Sequence, residues 1–214
     1  MSAAGKQKNI FIVSILFVFC IYSNAWGCNK KVSDPDSVKT ILFVGNSLTY
    51  TNNLPGLVTL LGKEKGLTVK TEMIAYPNYG LEDHWNDGSL QTLLAEKHFD
   101  FVVVQQGPSS QNEGRIMLLD YGTRIKALCE THNAKLAFFM VWPAFSNLHT
   151  FDALIKNYTD AAAATNSLLC PVGEVWKKHF LEASDYSYYG PDLFHPSPQG
   201  SGIAAQIIYE TLFK

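Results

Sequence analysis

The sequence predicts an α/β fold, a three-layer α/β/α sandwich built on a five-stranded parallel sheet. Two observations carry this. Short apolar runs recur without interruption, the mark of strands buried on both faces. Between them lie segments whose apolar residues return at helical spacing. Strand and helix alternate five times, with no internal repeat and no linker, and such alternation implies parallel strands with helices on both faces. At 214 residues, 47% hydrophobic and 17% charged, the chain is long enough for one domain with a sizeable core.

The first strand is Thr40 to Val44, where Ile41-Leu42-Phe43-Val44 runs straight into the turn Gly45-Asn46-Ser47-Leu48-Thr49. Leu54 to Leu61 reads as a helix with Pro55 in its first turn, ending at Gly62 or Gly66. Leu67 to Ala75 is the second strand, leading into the turn cluster Tyr76-Pro77-Asn78-Tyr79-Gly80. Ser89 to Lys97 is a short helix, and Phe99 to Gln105 the third strand, with Gln105-Gln106-Gly107-Pro108-Ser109-Ser110 as its exit loop. A helix over Asn112 to Cys129 follows, with Ile116, Leu119, Ile125 and Leu128 as its expected apolar stripe. Ala134 to Val141 is the fourth strand. Phe151, Leu154, Ile155 and Tyr158 mark the next helix, Leu168 and Leu169 a short fifth strand, and Glu174 to Phe180 another helix. The last helix begins after Pro198, with Ser197 as its N-cap.

The amino-terminal segment stands apart. Lys6 and Lys8 precede an apolar run from Ile10 to Tyr22, and Ala25-Trp26-Gly27-Cys28 follows. This is the layout of a secretory signal over residues 1–27. Cys28 directly after Gly27 resembles a bacterial lipoprotein signal, in which the cysteine takes a lipid anchor. Plain cleavage after Gly27 is the alternative, and Trp26 is awkward for the lipoprotein pattern. Residues 28–38 are polar and read as a tether, leaving 39–214 as the domain. Export to a bacterial periplasm or cell surface permits a disulfide between Cys129 and Cys170, but two cysteines carry no spacing signature, and two buried thiols are the reading preferred. No Cys/His spacing suggests a metal site, and no cofactor is expected. The formal net charge is −2 and no Lys/Arg-rich run stands out, which argues against nucleic acid as a partner.

Ser47 would stand just beyond the carboxyl end of the first strand, where open α/β sheets bind ligands. A serine hydroxyl is a weak nucleophile and needs a base. Asp192-Leu193-Phe194-His195-Pro196 supplies one. Asp and His three apart on a turn can lie side by side, so the carboxylate accepts the imidazole Nδ1–H and leaves Nε2 free to take the serine proton. Pro196 biases His195 towards an extended backbone, outside the last helix.

The Gly45-Asn46-Ser47-Leu48 turn after the first strand, with Asp192-x-x-His195 before the last helix, resembles the SGNH (GDSL-type) hydrolase superfamily, whose fold is flavodoxin-like. The resemblance spans the whole domain. It implies a Ser47–His195–Asp192 set and an oxyanion hole in which Gly80 supplies an N–H. It also implies a Gly-x-Asn block after the third strand. Here that block reads Gly107-Pro108-Ser109, with no asparagine. Gln105 is the first choice for the missing donor, and Gln106 and Ser109 stay open. Glu82-Asp83-His84-Trp85 is read as helix surface or cleft wall. Trp142, Tyr186, Tyr188 and Tyr189 are read as core or surface aromatics that could also line a sugar cleft.

The function expected is an exported serine esterase acting on a small-molecule or glycan ester, with acetyl on carbohydrate favoured. The alternatives are a lipase or thioesterase of the same type, or a surface lipoprotein that keeps the fold only to bind glycans. A flavodoxin-like phosphate cradle at Gly45 to Asn53 is a further competitor. The α/β-hydrolase elbow Gly-x-Ser-x-Gly is excluded by Thr49.

Overall fold

Residues 38–214, with Met1 and Ser2, are described by a computed structural model. The chain divides into two units, residues 1–32 and 33–214, and the fold reported is that of the second. The expected signal segment beyond Ser2, the expected tether up to Ser37 and the lipidation candidate Cys28 lie outside the described residues.

Five parallel strands form one sheet: β1 (Lys39–Gly45), β2 (Val69–Ala75), β3 (Phe101–Val104), β4 (Lys135–Phe139) and β5 (Leu168–Cys170), in the order β2-β1-β3-β4-β5. The register sets Ile41 opposite Phe101 and Val44 opposite Val104. The chain enters at β1, steps out to β2, then returns past β1 to β3. The strand order therefore reverses between β1 and β3, and ligands of such sheets bind beyond the carboxyl ends at that point. The polypeptide leaves β1 there through Gly45-Asn46-Ser47 and β3 through Gln105-Gln106-Gly107.

The connections are α1 (Ser47–Tyr50), α2 (Leu54–Glu64), α3 (Leu81–Asp87), α4 (Ser89–Glu96), α5 (Asn112–Thr131), α6 (Phe151–Ala164), α7 (Val172–Ala183) and α8 (Pro198–Leu212). α2 packs against α8, while α3, α5 and α6 form a second contiguous group. The steps from β1 to β2 and from β2 to β3 run in opposite directions across the sheet, so crossovers of the usual right hand set these groups on opposite faces. Both faces of β1 are thereby covered, and Ile41, Leu42, Phe43 and Val44 are all fully buried.

Helix ends follow the expected chemistry. Pro55 lies in the first turn of α2, and Ser197 Oγ accepts from the Gly200 N–H at 3.1 Å to cap α8. The expected stripe of α5 is corrected. Its buried face is Leu118, Gly122, Ile125 and Cys129, while Ile116 is exposed and Leu119 and Leu128 are only partly buried. Gly122 faces Phe138 of β4, and a Cβ there would meet the ring at 2.7 Å. The glycine lets this helix lie closely on the sheet.

Candidate active site

The turn after β1 is fixed by its neighbours. Asn46 has an extended backbone and caps α1, with Oδ1 accepting from the Leu48 N–H at 3.1 Å. Its own N–H donates to Gln105 Oε1 at 2.9 Å, and its Nδ2 to the Tyr79 carbonyl at 2.9 Å. Thr49 Oγ1 donates to the same Gln105 oxygen at 2.9 Å. One fully buried carboxamide oxygen thus holds the turn at two points. Ser47 lies between them, half-buried, and its Oγ makes no hydrogen bond to any of the described residues. The capping role open to a serine at this place belongs to Asn46.

A histidine that the sequence left on a helix surface or in a cleft wall also belongs to this turn. His84 of α3 is buried, and its Nε2 lies 2.8 Å from the Gly45 carbonyl, which also accepts from the Tyr76 N–H at 3.2 Å. The rings of Tyr76 and Tyr79 pack against it, with centroids at 6.0 and 5.1 Å. Burial lowers His84 below the ordinary imidazole range, opposed by the Gly45 hydrogen bond and the charges of Asp83 and Asp87. The neutral ring donates from Nε2 and locks the carbonyl that precedes Asn46.

Asp192 and His195 form the second half of the site. Asp192 Oδ2 lies 2.5 Å from His195 Nδ1, and Oδ1 accepts from the N–H groups of Phe194 at 3.1 Å and His195 at 2.9 Å. The hydrogen bond from His195 is the main reason that the Asp192 carboxyl sits below the usual carboxylate range. The loop is pinned from outside by Trp142 Nε1 donating to the Phe194 carbonyl at 3.0 Å and by the Gly190 N–H donating to the His195 carbonyl at 2.7 Å. Asn52, five residues after Ser47, joins the two halves. Its Nδ2 donates to the Pro196 carbonyl at 2.9 Å and to Ser201 Oγ at 3.0 Å. A cavity of about 570 Å³ opens there, lined by Thr51, Asn52, Tyr189, Gly190, Asp192 and His195 among others.

The remaining candidates surround β3's exit. Gly80 opens α3, and its N–H donates to Asp83 Oδ2 at 2.7 Å. A Cβ on Gly80 would come within 2.9 Å of Gln106 Oε1 and 3.0 Å of its Nε2, so the glycine admits this carboxamide. Gln106 Oε1 accepts from the Leu81 N–H at 2.7 Å, which leaves Nε2 only a weak contact with Met117 Sδ at 3.5 Å. Gln105 uses its oxygen on the Ser47 turn, and its Nε2 is buried without a partner. The Ser109 hydroxyl is committed to the Gly107 carbonyl at 2.8 Å. From α6, Asn157 Nδ2 donates to the Ser109 carbonyl at 2.8 Å and the Tyr158 hydroxyl to the Gln106 carbonyl, holding the loop in place.

Trp142, Tyr188 and Tyr189 are buried core residues, and only Tyr186 of that group is exposed. Phe145, which the sequence reading passed over, is exposed beside it, with ring centroids 5.0 Å apart. Cys129 and Cys170 are buried free thiols, and burial pushes both up to about 12. They stay protonated at neutral pH and do not compete as nucleophiles. Among the described residues no cluster of three or more His, Cys, Asp or Glu side chains could hold a metal ion.

No protein-family model matches the sequence, and a search of curated proteins finds no match. Solved structures do match. A candidate SGNH hydrolase from Slackia heliotrinireducens superposes with a TM-score of 0.70 at 26% identity, covering 82% of this chain and 99% of that one. The chain belongs to the SGNH hydrolase superfamily. Two more distant SGNH-like structures share the fold. The lipase/acylhydrolase from Enterococcus faecalis has a TM-score of 0.65 at 17% identity and covers 80% of this chain and 94% of its own. A variant of Axe2, an acetyl xylan esterase from Geobacillus stearothermophilus, has a TM-score of 0.60 at 16% identity and covers 82% and 94%. In this SGNH chain the turn after β1 leaves the sheet at the point where strand order reverses, and the Asp192–His195 loop is bonded to Trp142 and Phe145, in the segment after β4.

Proposed function

We propose that the protein is an exported serine esterase that removes a small acyl group, such as acetyl, from a carbohydrate. Carboxylic ester hydrolysis is the chemistry of the superfamily. The residue roles, the substrate and the location are our reading. The observation that carries the roles is the pair of hydrogen bonds from Asn52, which tie the segment after Ser47 to the Pro196 carbonyl next to His195 and to Ser201 Oγ of α8, while Asp192 orients that imidazole.

In this mechanism Asp192 holds His195 Nδ1–H and leaves Nε2 as the base. Nε2 takes the Ser47 proton as Oγ bonds to the ester carbonyl carbon, and the carbonyl π electrons move onto oxygen. The tetrahedral adduct collapses, the alcohol leaves with the proton from His195, and an acyl-enzyme remains. Water, deprotonated by His195, repeats the addition and releases the acid. The oxyanion needs donors that are not already spent. Gln105 Nε2 and Gln106 Nε2 both meet that condition, but Gln105 is fully buried behind the Ser47 turn, while Gln106 keeps some exposure and its carboxamide lies against Gly80. The Gly80 N–H meets it only by leaving Asp83. We therefore assign the side-chain donor to Gln106. Gln106→Glu keeps the acceptor for Leu81 but removes the NH₂ group, and both it and Gln106→Ala are expected to lower kcat by about 10²–10³-fold. Wild-type kcat in either variant would return the role to Gln105 or Ser109.

The substrate reading takes the cavity beside His195, lined by Thr51, Asn52, Tyr189 and Pro191 among others, as the place of the alcohol portion, a saccharide. The fold likeness to an acetyl xylan esterase supports it. Acetate release from an acetylated saccharide is the direct test. An acetyl ester should exceed the matching decanoyl ester by about 10-fold or more in kcat/KM, and the reverse order would favour a lipase or thioesterase. For location, the layout of residues 1–28 supports export, with a lipid on Cys28 and residues 28–38 as the tether.

A further inference from the structure

Seven non-glycine residues have a left-handed backbone among the described residues. Five are asparagines, one is Ser184, and one is Leu193, at φ +59°. Asparagine enters this region readily, and a bulky apolar side chain does not. The conformation at Leu193 is required by the loop. Its N–H donates to the Gly190 carbonyl at 3.0 Å, its carbonyl accepts from the Phe145 N–H at 2.9 Å, and the turn folds Asp192 back onto the two N–H groups that follow. Glycine or asparagine would meet that requirement with less strain. Nor does core packing compensate the leucine, since its side chain is 47% exposed. Phe145 and Tyr186, 36% and 38% exposed, meet edge to face, and the Phe145 N–H bond to the Leu193 carbonyl brings this pair up to the loop, adding to its exposed apolar surface.

A strained, solvent-facing leucine on the loop of the general base gives the fold nothing that a smaller residue would not. We propose that Leu193 is a specificity-determining residue that contacts the alcohol portion of the ester. The inference rests on the esterase reading above. In that reaction His195 hands its proton to the departing alcohol oxygen, so the alcohol lies on the side of the histidine loop. The oxyanion and acyl group face Gly80 and Gln106. An apolar rim on the alcohol side suits an alcohol with an apolar ring face, as the C–H face of a pyranose has.

The test compares wild type with Leu193→Gly and Leu193→Asn on two acetates that differ only in the alcohol, cyclohexyl acetate and ethyl acetate, alongside thermal melting. Both variants should melt at or above the wild-type temperature. Their kcat/KM ratio for cyclohexyl over ethyl acetate should fall by about 5–10-fold, with ethyl acetate little changed. An unchanged ratio, an equal loss on both esters or a lower melting temperature in both variants would each overturn the assignment. If wild type hydrolyses neither acetate, the esterase reading fails first and this inference falls with it.

Discussion

Replacing Ser47 by alanine is expected to lower kcat for a short-chain aryl acetate by about 10⁴–10⁶-fold, the range in which removal of a serine nucleophile falls. The effect should be confined to chemistry. Ser47 is half-buried, and its hydroxyl bonds to no described residue. The cap of α1 comes from Asn46 Oδ1. The turn is held through Gln105 Oε1 and the Gly45 carbonyl, which are untouched by the change. Alanine therefore removes the reacting atom and almost nothing else, and the melting temperature should move by no more than about 2–4 °C, the equivalent of roughly 1 kcal/mol in a chain of this size. Initial rates and thermal denaturation on the same preparations check both halves. Equal rates for variant and wild type would remove Ser47 from the mechanism.

What the sequence discloses depends on whether a residue's role is set locally. β1 and β3 were legible because burial on both faces leaves an unbroken apolar run, and Ile41–Val44 and Phe101–Val104 are such runs. The start of α8 was legible because Ser197 and Pro198 carry their own capping chemistry. α5 was misjudged because its closest contact with the sheet is made by Gly122, which registers as no apolar signal at all. His84 was misjudged for the opposite reason. It is polar within a polar helix, and the Gly45 carbonyl that makes its burial tolerable is 39 residues away. Gln105 and Gln106 could not be ordered from sequence, because neighbours leaving a strand point to opposite sides. Their different partners, Asn46 and Thr49 for one and Leu81 for the other, appear only in three dimensions.

Replacing Asp192 by asparagine is expected to lower kcat by about 10³–10⁴-fold with little change in KM, through the choice of tautomer. Asp192 Oδ1 accepts two backbone N–H groups, from Phe194 and His195, while Oδ2 faces His195 Nδ1. An asparagine keeps the backbone bonds only by leaving its oxygen at the Oδ1 position. Its NH₂ then points at Nδ1, which must become an acceptor, and the ring proton moves to Nε2. An imidazole protonated at Nε2 cannot receive the Ser47 proton there. The loop itself should survive, because the two backbone bonds and the Trp142 and Gly190 contacts are retained. The sign of the pH effect distinguishes this from loss of structure. A carboxyl held below its usual range adds stability above its unfolded pKa, and that contribution disappears as pH falls through the folded value. Asp192→Asn should therefore lose part of the wild-type stability near neutral pH and converge with wild type in acid. Adding Asp192→Asn to Ser47→Ala should lower kcat no further than Ser47→Ala alone, since an orienting acid has no role once the hydroxyl it serves is gone. Near-wild-type kcat in Asp192→Asn, or a further drop in the double variant, would mean that Asp192 does not act through His195 on Ser47.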